Sequence, residues 1–174
     1  IVLHVANYHF IHAGPTKEIR IGKTSAVEKL QSRKQAVNLF LIGSLLTMGL
    51  YHLSLFLLRG QYEPPLYFGF FCCIISLRSV LINDRFILKL WPDLSWEWMM
   101  KVEYLTFYLA VPVFIYYLFS LFPREFSKRV VGAVTVLSLL CSAAILILPM
   151  RIASYSLQPF QIVTVIASLY AGYV

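Results

Sequence analysis

From Ala36 onward the chain alternates long apolar blocks with short polar ones. The stretch from Ala36 to Leu58 holds no Asp, Glu, Lys or Arg and sits between Lys34 and Arg59. A helix needs about 20 apolar residues to cross a bilayer, so this block predicts a complete span. Further spans are predicted at about 65–83, 98–122, 130–149 and 155–174, the last truncated by the chain end. The polar segments "RGQYEPP", "DRFILKLWPDLSWEW", "PREFSKR" and "MRIASYSLQP" separate them. The predicted fold class is an all-α polytopic membrane protein, a helical bundle of four complete spans and most of a fifth, over residues 36–174.

The N-terminal pattern is different. "IVLHVANYHF" and "KEIRIG" are rich in branched and aromatic residues, and "HAGPT" between them carries turn residues. Residues 1–24 are therefore expected to be a β-hairpin-like remnant. Two strands alone are not stable in water, so they are read as the last strands of a β-domain that begins upstream. Ser25 and Glu28 have capping-box spacing, which predicts a helix start at Ser25 and a juxtamembrane segment over 25–35. Nothing breaks that helix before Gly43, so it is expected to enter the membrane unbroken. The first residue is not Met and "LYAGYV" stops inside an apolar block, so the chain is read as an internal piece of a longer polypeptide.

Composition agrees with this division. Apolar residues make up 59% of the chain and charged residues 13%, against about 25% charged in a typical soluble domain. The net charge of +7 is spread over Lys17, Arg20, Lys23, Lys29, Arg33 and Lys34 before the first span and over residues flanking later spans. Anionic headgroups tolerate basic residues there, so the charge points to the lipid bilayer as partner and away from nucleic acid. Cys72, Cys73 and Cys141 have no metal-ligand or redox spacing and read as apolar fillers. P-loop, HExxH and GxSxG patterns are absent, so no catalytic, cofactor-binding or metal residue is assigned and enzyme activity is not expected within this piece.

Arg78 is the exception within the apolar blocks. It lies about five residues before the end of the second span, a depth of roughly 7 Å. Glu103 lies at similar depth in the third span, which starts from the same membrane face. The two are candidates for an intramembrane ion pair or switch; the alternatives are separate snorkelling to the headgroups, or a substrate or lipid contact. His52 and Lys101 are candidate interhelical polar residues, with a proton relay as the alternative for His52. Trp91, Trp96 and Trp98 are candidate interface anchors, with ligand stacking as the alternative. Pro112 is a candidate hinge in the third span. His4, His9 and His12 read as ordinary surface or turn residues, because on a strand His9 points away from the other two.

Several stretches together resemble one family, the bacterial seven-transmembrane receptors with diverse intracellular signalling modules. They are "HVANYHFIHAG", "MGLYHLSLFLLR", "PLYFGFFCCIISLR", "WEWMMKVEYLTFYL" and "YLFSLFPREFS". The resemblance implies an extracytoplasmic β-sandwich upstream, similar to carbohydrate-binding modules, with an unidentified, carbohydrate-like ligand. It implies seven spans in the bacterial inner membrane and a downstream cytoplasmic kinase, cyclase or phosphatase module in the same chain. A homodimer is compatible with it. It places the N-terminal piece outside, whereas the Lys and Arg count alone would place that piece in the cytoplasm. The function so implied is coupling of extracytoplasmic sensing to a cytoplasmic output. The alternatives are a transporter or channel segment with a polar path through His52, Arg78 and Glu103, and a scaffold subunit.

Overall fold

The computed structural model describes residues 22–60, 62–82, 87, 91 and 93–173. The expected strands fall on residues 1–21, outside the described residues. Helix α1 spans Thr24–Arg59, α2 Pro64–Ile82, α3 Trp96–Leu121 and α4 Lys128–Ile147. The fifth apolar segment is composite: α5 (Met150–Ala153), a 3-10 turn (Ser154–Ser156) and α6 (Leu157–Tyr173). Among the described residues, five helical segments, counting Met150–Tyr173 as one, are long and apolar enough to cross a membrane.

Helix α1 starts one residue before the expected cap. Lys23 is extended, and its carbonyl accepts from the N–H groups of Ala26 and Val27 at 2.9 and 3.1 Å. That draws Ser25 into the first turn, and no side chain caps the helix. Gly43 does not interrupt it. The 36 residues span about 54 Å at 1.5 Å per residue, well beyond the 30 Å of a hydrocarbon core. The helix ends at Gly60, whose φ of 59° is left-handed and whose N–H returns to the Phe56 carbonyl at 2.8 Å. A glycine takes that conformation without a Cβ clash. Pro64 then opens α2, where the missing N–H leaves no helical bond unmade.

The 3-10 turn has a local cause as well. Pro159 sits in the first turn of α6, where it has no N–H to donate and its ring crowds the carbonyl four residues earlier. Regular α geometry therefore stops at Ala153 and resumes at Leu157. Pro112 is different: it lies buried inside α3, which continues through it.

Neighbouring helices pack through distinct surfaces. On α1 and α2 two glycines face each other. A Cβ on Gly49 would lie 2.8 Å from Cys73 Sγ and 3.1 Å from the Gly69 carbonyl, and one on Gly69 would lie 3.0 Å from the Gly49 carbonyl. The backbones approach closely because neither residue has a side chain, the usual device for membrane helices. Ser76 Oγ donates to the Ile42 carbonyl at 3.2 Å further along the same seam. Between α2 and α3 the seam is aromatic. Tyr67 stacks on Tyr116, while Phe68 meets Tyr117 and Phe71 meets Phe114 at ring-centre distances of 5.1 and 5.0 Å.

Helix α3 is the hub, with α2, α4 and α6 all packed on it. One core joins Tyr104 and Tyr108 of α3 to Ile145, Met150, Ala153 and Phe160. A second joins Ile115 to Val131, Val134 and Ala167. The Tyr170 hydroxyl accepts from the Ser127 N–H at 3.0 Å, tying α6 to the turn before α4.

The glycine seam makes a differential prediction. Gly49→Leu and Gly69→Leu should each lower the melting temperature of the detergent-solubilised protein, because the side chain meets backbone. Gly43→Ala has nothing within 4 Å of its new Cβ and should leave the melting curve unchanged or raise it slightly. Equal effects at all three positions in fluorescence-detected thermal melts would refute the close-approach account.

Candidate functional site

Near the C-terminal end of α2 the half-buried Arg78 side chain crosses to α3. Its Nη1 donates to the main-chain carbonyl of Glu103 at 2.7 Å. The guanidinium carbon also lies 5.1 Å from the centre of the Phe107 ring, one helical turn further along α3. A lone guanidinium in hydrocarbon costs about 2.5–3.5 kcal/mol on insertion scales. A charge-assisted hydrogen bond returns about 1.5–3 kcal/mol, and a cation–π contact adds about 0.5–2 kcal/mol. The two contacts are thus of the size needed to hold the charge in place. Thr106 Oγ1 donates to the same Glu103 carbonyl at 2.7 Å, which satisfies a buried hydroxyl and marks this peptide as a shared acceptor.

Phe107 continues the arrangement towards α6. It meets Phe160 edge to face at 5.5 Å, and Phe160 meets Tyr108 edge to face at 4.8 Å. Tyr108 is fully buried. Its hydroxyl lies 2.7 Å from Ser156 Oγ, and Ser156 Oγ donates to the Ala153 carbonyl at 2.6 Å. With its own proton so used, Ser156 accepts from Tyr108. The chain of bonds ends on the Ala153 carbonyl, at the start of the 3-10 turn. Arg78, Phe107, Phe160, Tyr108 and Ser156 therefore join the second, third and fifth segments at one level. Nothing in this group is an activated nucleophile; its chemistry is that of a packed, hydrogen-bonded junction.

The other residues singled out from the sequence lie elsewhere. His52 Nδ1 is 2.9 Å from the Met48 carbonyl four residues earlier, so Nδ1 carries the proton and the bond stays within α1. Its interhelical contact is aromatic, edge-on to Phe68 at 4.6 Å. Phe68 is ten residues from Arg78 along α2, about 15 Å away, so His52 does not join Arg78 and Glu103. Lys101 Nζ pairs with Glu97 at 3.2 Å on the same helix and lies 5.5 Å from the centre of the Trp98 ring. Trp91 and Trp98 are 62% and 56% exposed, while Trp96 packs against the Tyr104–Tyr108 core. Among the described residues, no group of three or more His, Cys, Asp or Glu could hold a metal ion.

Tyr108, Ser156, Phe107 and Phe160 were not singled out from the sequence. The one available signal was the pair Pro149 and Pro159 bracketing "MRIASYSLQ", which marks a break in an otherwise apolar helix. The aromatic partners carry no mark that separates them from the rest of the aromatic side chains.

Comparison with curated proteins finds no match. Comparison with solved structures finds none either. Residues 34–174, most of the chain, match the family described as 7TM diverse intracellular signalling. The composition, the five apolar segments and this match agree, and the chain belongs to that family: it is a multi-pass, receptor-type membrane domain of a signalling protein.

Proposed function

We propose that this domain passes an extracytoplasmic sensing event to a cytoplasmic module carried by the same polypeptide, in a bacterial inner membrane. The observation that carries the reading is the unbroken course of α1. It runs from the segment before the membrane through the bilayer, packs closely on α2 at Gly49 and Gly69, and α2 is clamped to α3 by Arg78. A displacement of the α1 N-terminus has a rigid route to the hub helix. A flexible linker would absorb it. On this reading the N-terminal segment lies outside, where the upstream domain would engage a carbohydrate-like ligand. The transporter reading is less well supported, since His52 stands about 15 Å along α2 from the Arg78 level.

Insertions of one to four alanines between Gln31 and Ser32 test transmission without any ligand. Each added residue turns the upstream domain by about 100° relative to the membrane domain. Basal output of the full-length protein should vary with helical period across the series; a flat response would make α1 a passive tether. Orientation has its own test. A membrane-impermeant maleimide should label Lys23→Cys in intact spheroplasts and should label Arg124→Cys only after lysis, and the reverse pattern would reject the proposed orientation. Finally, Arg78→Gln and Phe107→Leu should be coupled by about 0.5–1 kcal/mol in a double-mutant cycle on thermal stability. Strict additivity would mean that the ring does not help to hold the guanidinium.

A further inference from the structure

Arg78 and Phe107 separate two cavities. One, of about 250 Å³, lies on the Glu103, Tyr104 and Gln161 side. The other, of about 310 Å³, is a cleft between α2, α3 and α6. Its walls include Phe71 and Phe114, and α6 contributes the small residues Ala167 and Ala171. Along α3 it extends from Phe107 to Leu118, about 16 Å at 1.5 Å per residue.

Among the described residues, Arg78 is the one charged residue lining the cleft, and it sits at the end nearest Phe107. The two lining hydroxyls have already spent their protons: Thr164 donates to the Phe160 carbonyl at 2.9 Å and Ser168 to the Thr164 carbonyl at 2.8 Å. The guanidinium has five N–H donors in a fork suited to a carboxylate, and the bond to the Glu103 carbonyl employs Nη1 alone. Glu103 lines the first cavity and not the cleft.

From this geometry we propose that the cleft is a binding site for a single-chain carboxylate, a fatty-acid-like amphiphile whose head group pairs with Arg78 and whose chain lies along α3. The volume supports one chain over two. It is at the lower end of the range of about 300–1,000 Å³ seen for ligand sites, too small for both tails of a glycerophospholipid. The elongated apolar trough with one cation at its end selects for length and for charge together. A compact polar solute would satisfy the guanidinium and leave the trough unfilled.

Direct binding of radiolabelled dodecanoate to the full-length protein, in nanodiscs of phosphatidylcholine, tests the site. Binding should saturate at one per chain, and dodecanol should bind about tenfold or more weakly, having lost the charge-assisted pair. Arg78→Gln should weaken dodecanoate by a similar factor, with Arg78→Lys retaining part of the affinity. Ala171→Trp should abolish binding by filling the trough while leaving the Arg78 contacts in place, so the site stays testable if Arg78→Gln does not fold. The proposal is overturned if dodecanol and dodecanoate bind equally, or if Ala171→Trp has no effect. It is also overturned if nothing binds because another part of the full chain fills the cleft. Loss of dodecanoate binding in phosphatidylglycerol nanodiscs would assign the cation to a phospholipid head group and overturn it as well.

Discussion

A guanidinium inside hydrocarbon must find a partner, and the one it finds here, the Glu103 carbonyl at 2.7 Å, constrains the rest of the bundle. Apolar surface alone does little to fix one membrane helix against another, since lipid tails solvate it equally well. A polar contact between neighbours does fix them. The Arg78 bond sets both the depth and the rotation of α2 relative to α3. The aromatic pairs Phe71–Phe114 and Phe68–Tyr117 follow in the same antiparallel register as Arg78 and Phe107. On its other face α2 presents Gly69 to Gly49, so the placement of α1 depends on the placement of α2.

The hub helix carries the constraint onward. Phe107 touches the guanidinium on one side and Phe160 on the other, and Tyr108, the next residue, bonds to Ser156 in the 3-10 turn. That turn exists because Pro159 cannot complete a regular helix. An interrupted helix, tied at its break by a hydrogen bond to a buried tyrosine, is better suited to two alternative packings than a continuous one, because packed interfaces shift between discrete arrangements rather than deforming smoothly. The junction therefore combines a rigid clamp, between α2 and α3, with an interruption in the segment beside it.

What could be read in advance depended on which atoms carry the information. The spans were legible from length and apolarity, although Lys128 and Arg129 prove to be helical where the apolar block alone begins at Val130. Helices continue past the hydrocarbon and hydropathy does not see that part. The nearness of Arg78 and Glu103 was legible from their depths. The acceptor atom was not, because a sequence displays side-chain charges and every residue has a carbonyl. His52 and Lys101 were expected to reach other helices, yet a carbonyl or carboxylate one turn away on the same helix was nearer. Gly49 and Gly69 lie on different helices, so no small-residue repeat within one span announces their contact. Tyr108 is one of 11 tyrosines, and only burial and its bond to Ser156 set it apart.

The basic residues pose a conflict for the proposed orientation, and the structure suggests how it weakens. Half of the six basic residues before the first span, Lys29, Arg33 and Lys34, lie on the α1 extension. The positive-inside bias is strongest in short loops, and long translocated domains cross largely regardless of charge. If the extension crosses with its domain, the comparison reduces to the short connections. Arg59, Arg124, Lys128 and Arg129 then stand on the proposed cytoplasmic face, against Arg85, Lys89 and Arg151 outside. Lys101 drops out of the comparison, since its ammonium is paired with Glu97 and covered by Trp98. Counted over short loops, the charge no longer opposes an extracytoplasmic N-terminus, and the same helix that carries the misleading cluster is the one proposed to carry the signal.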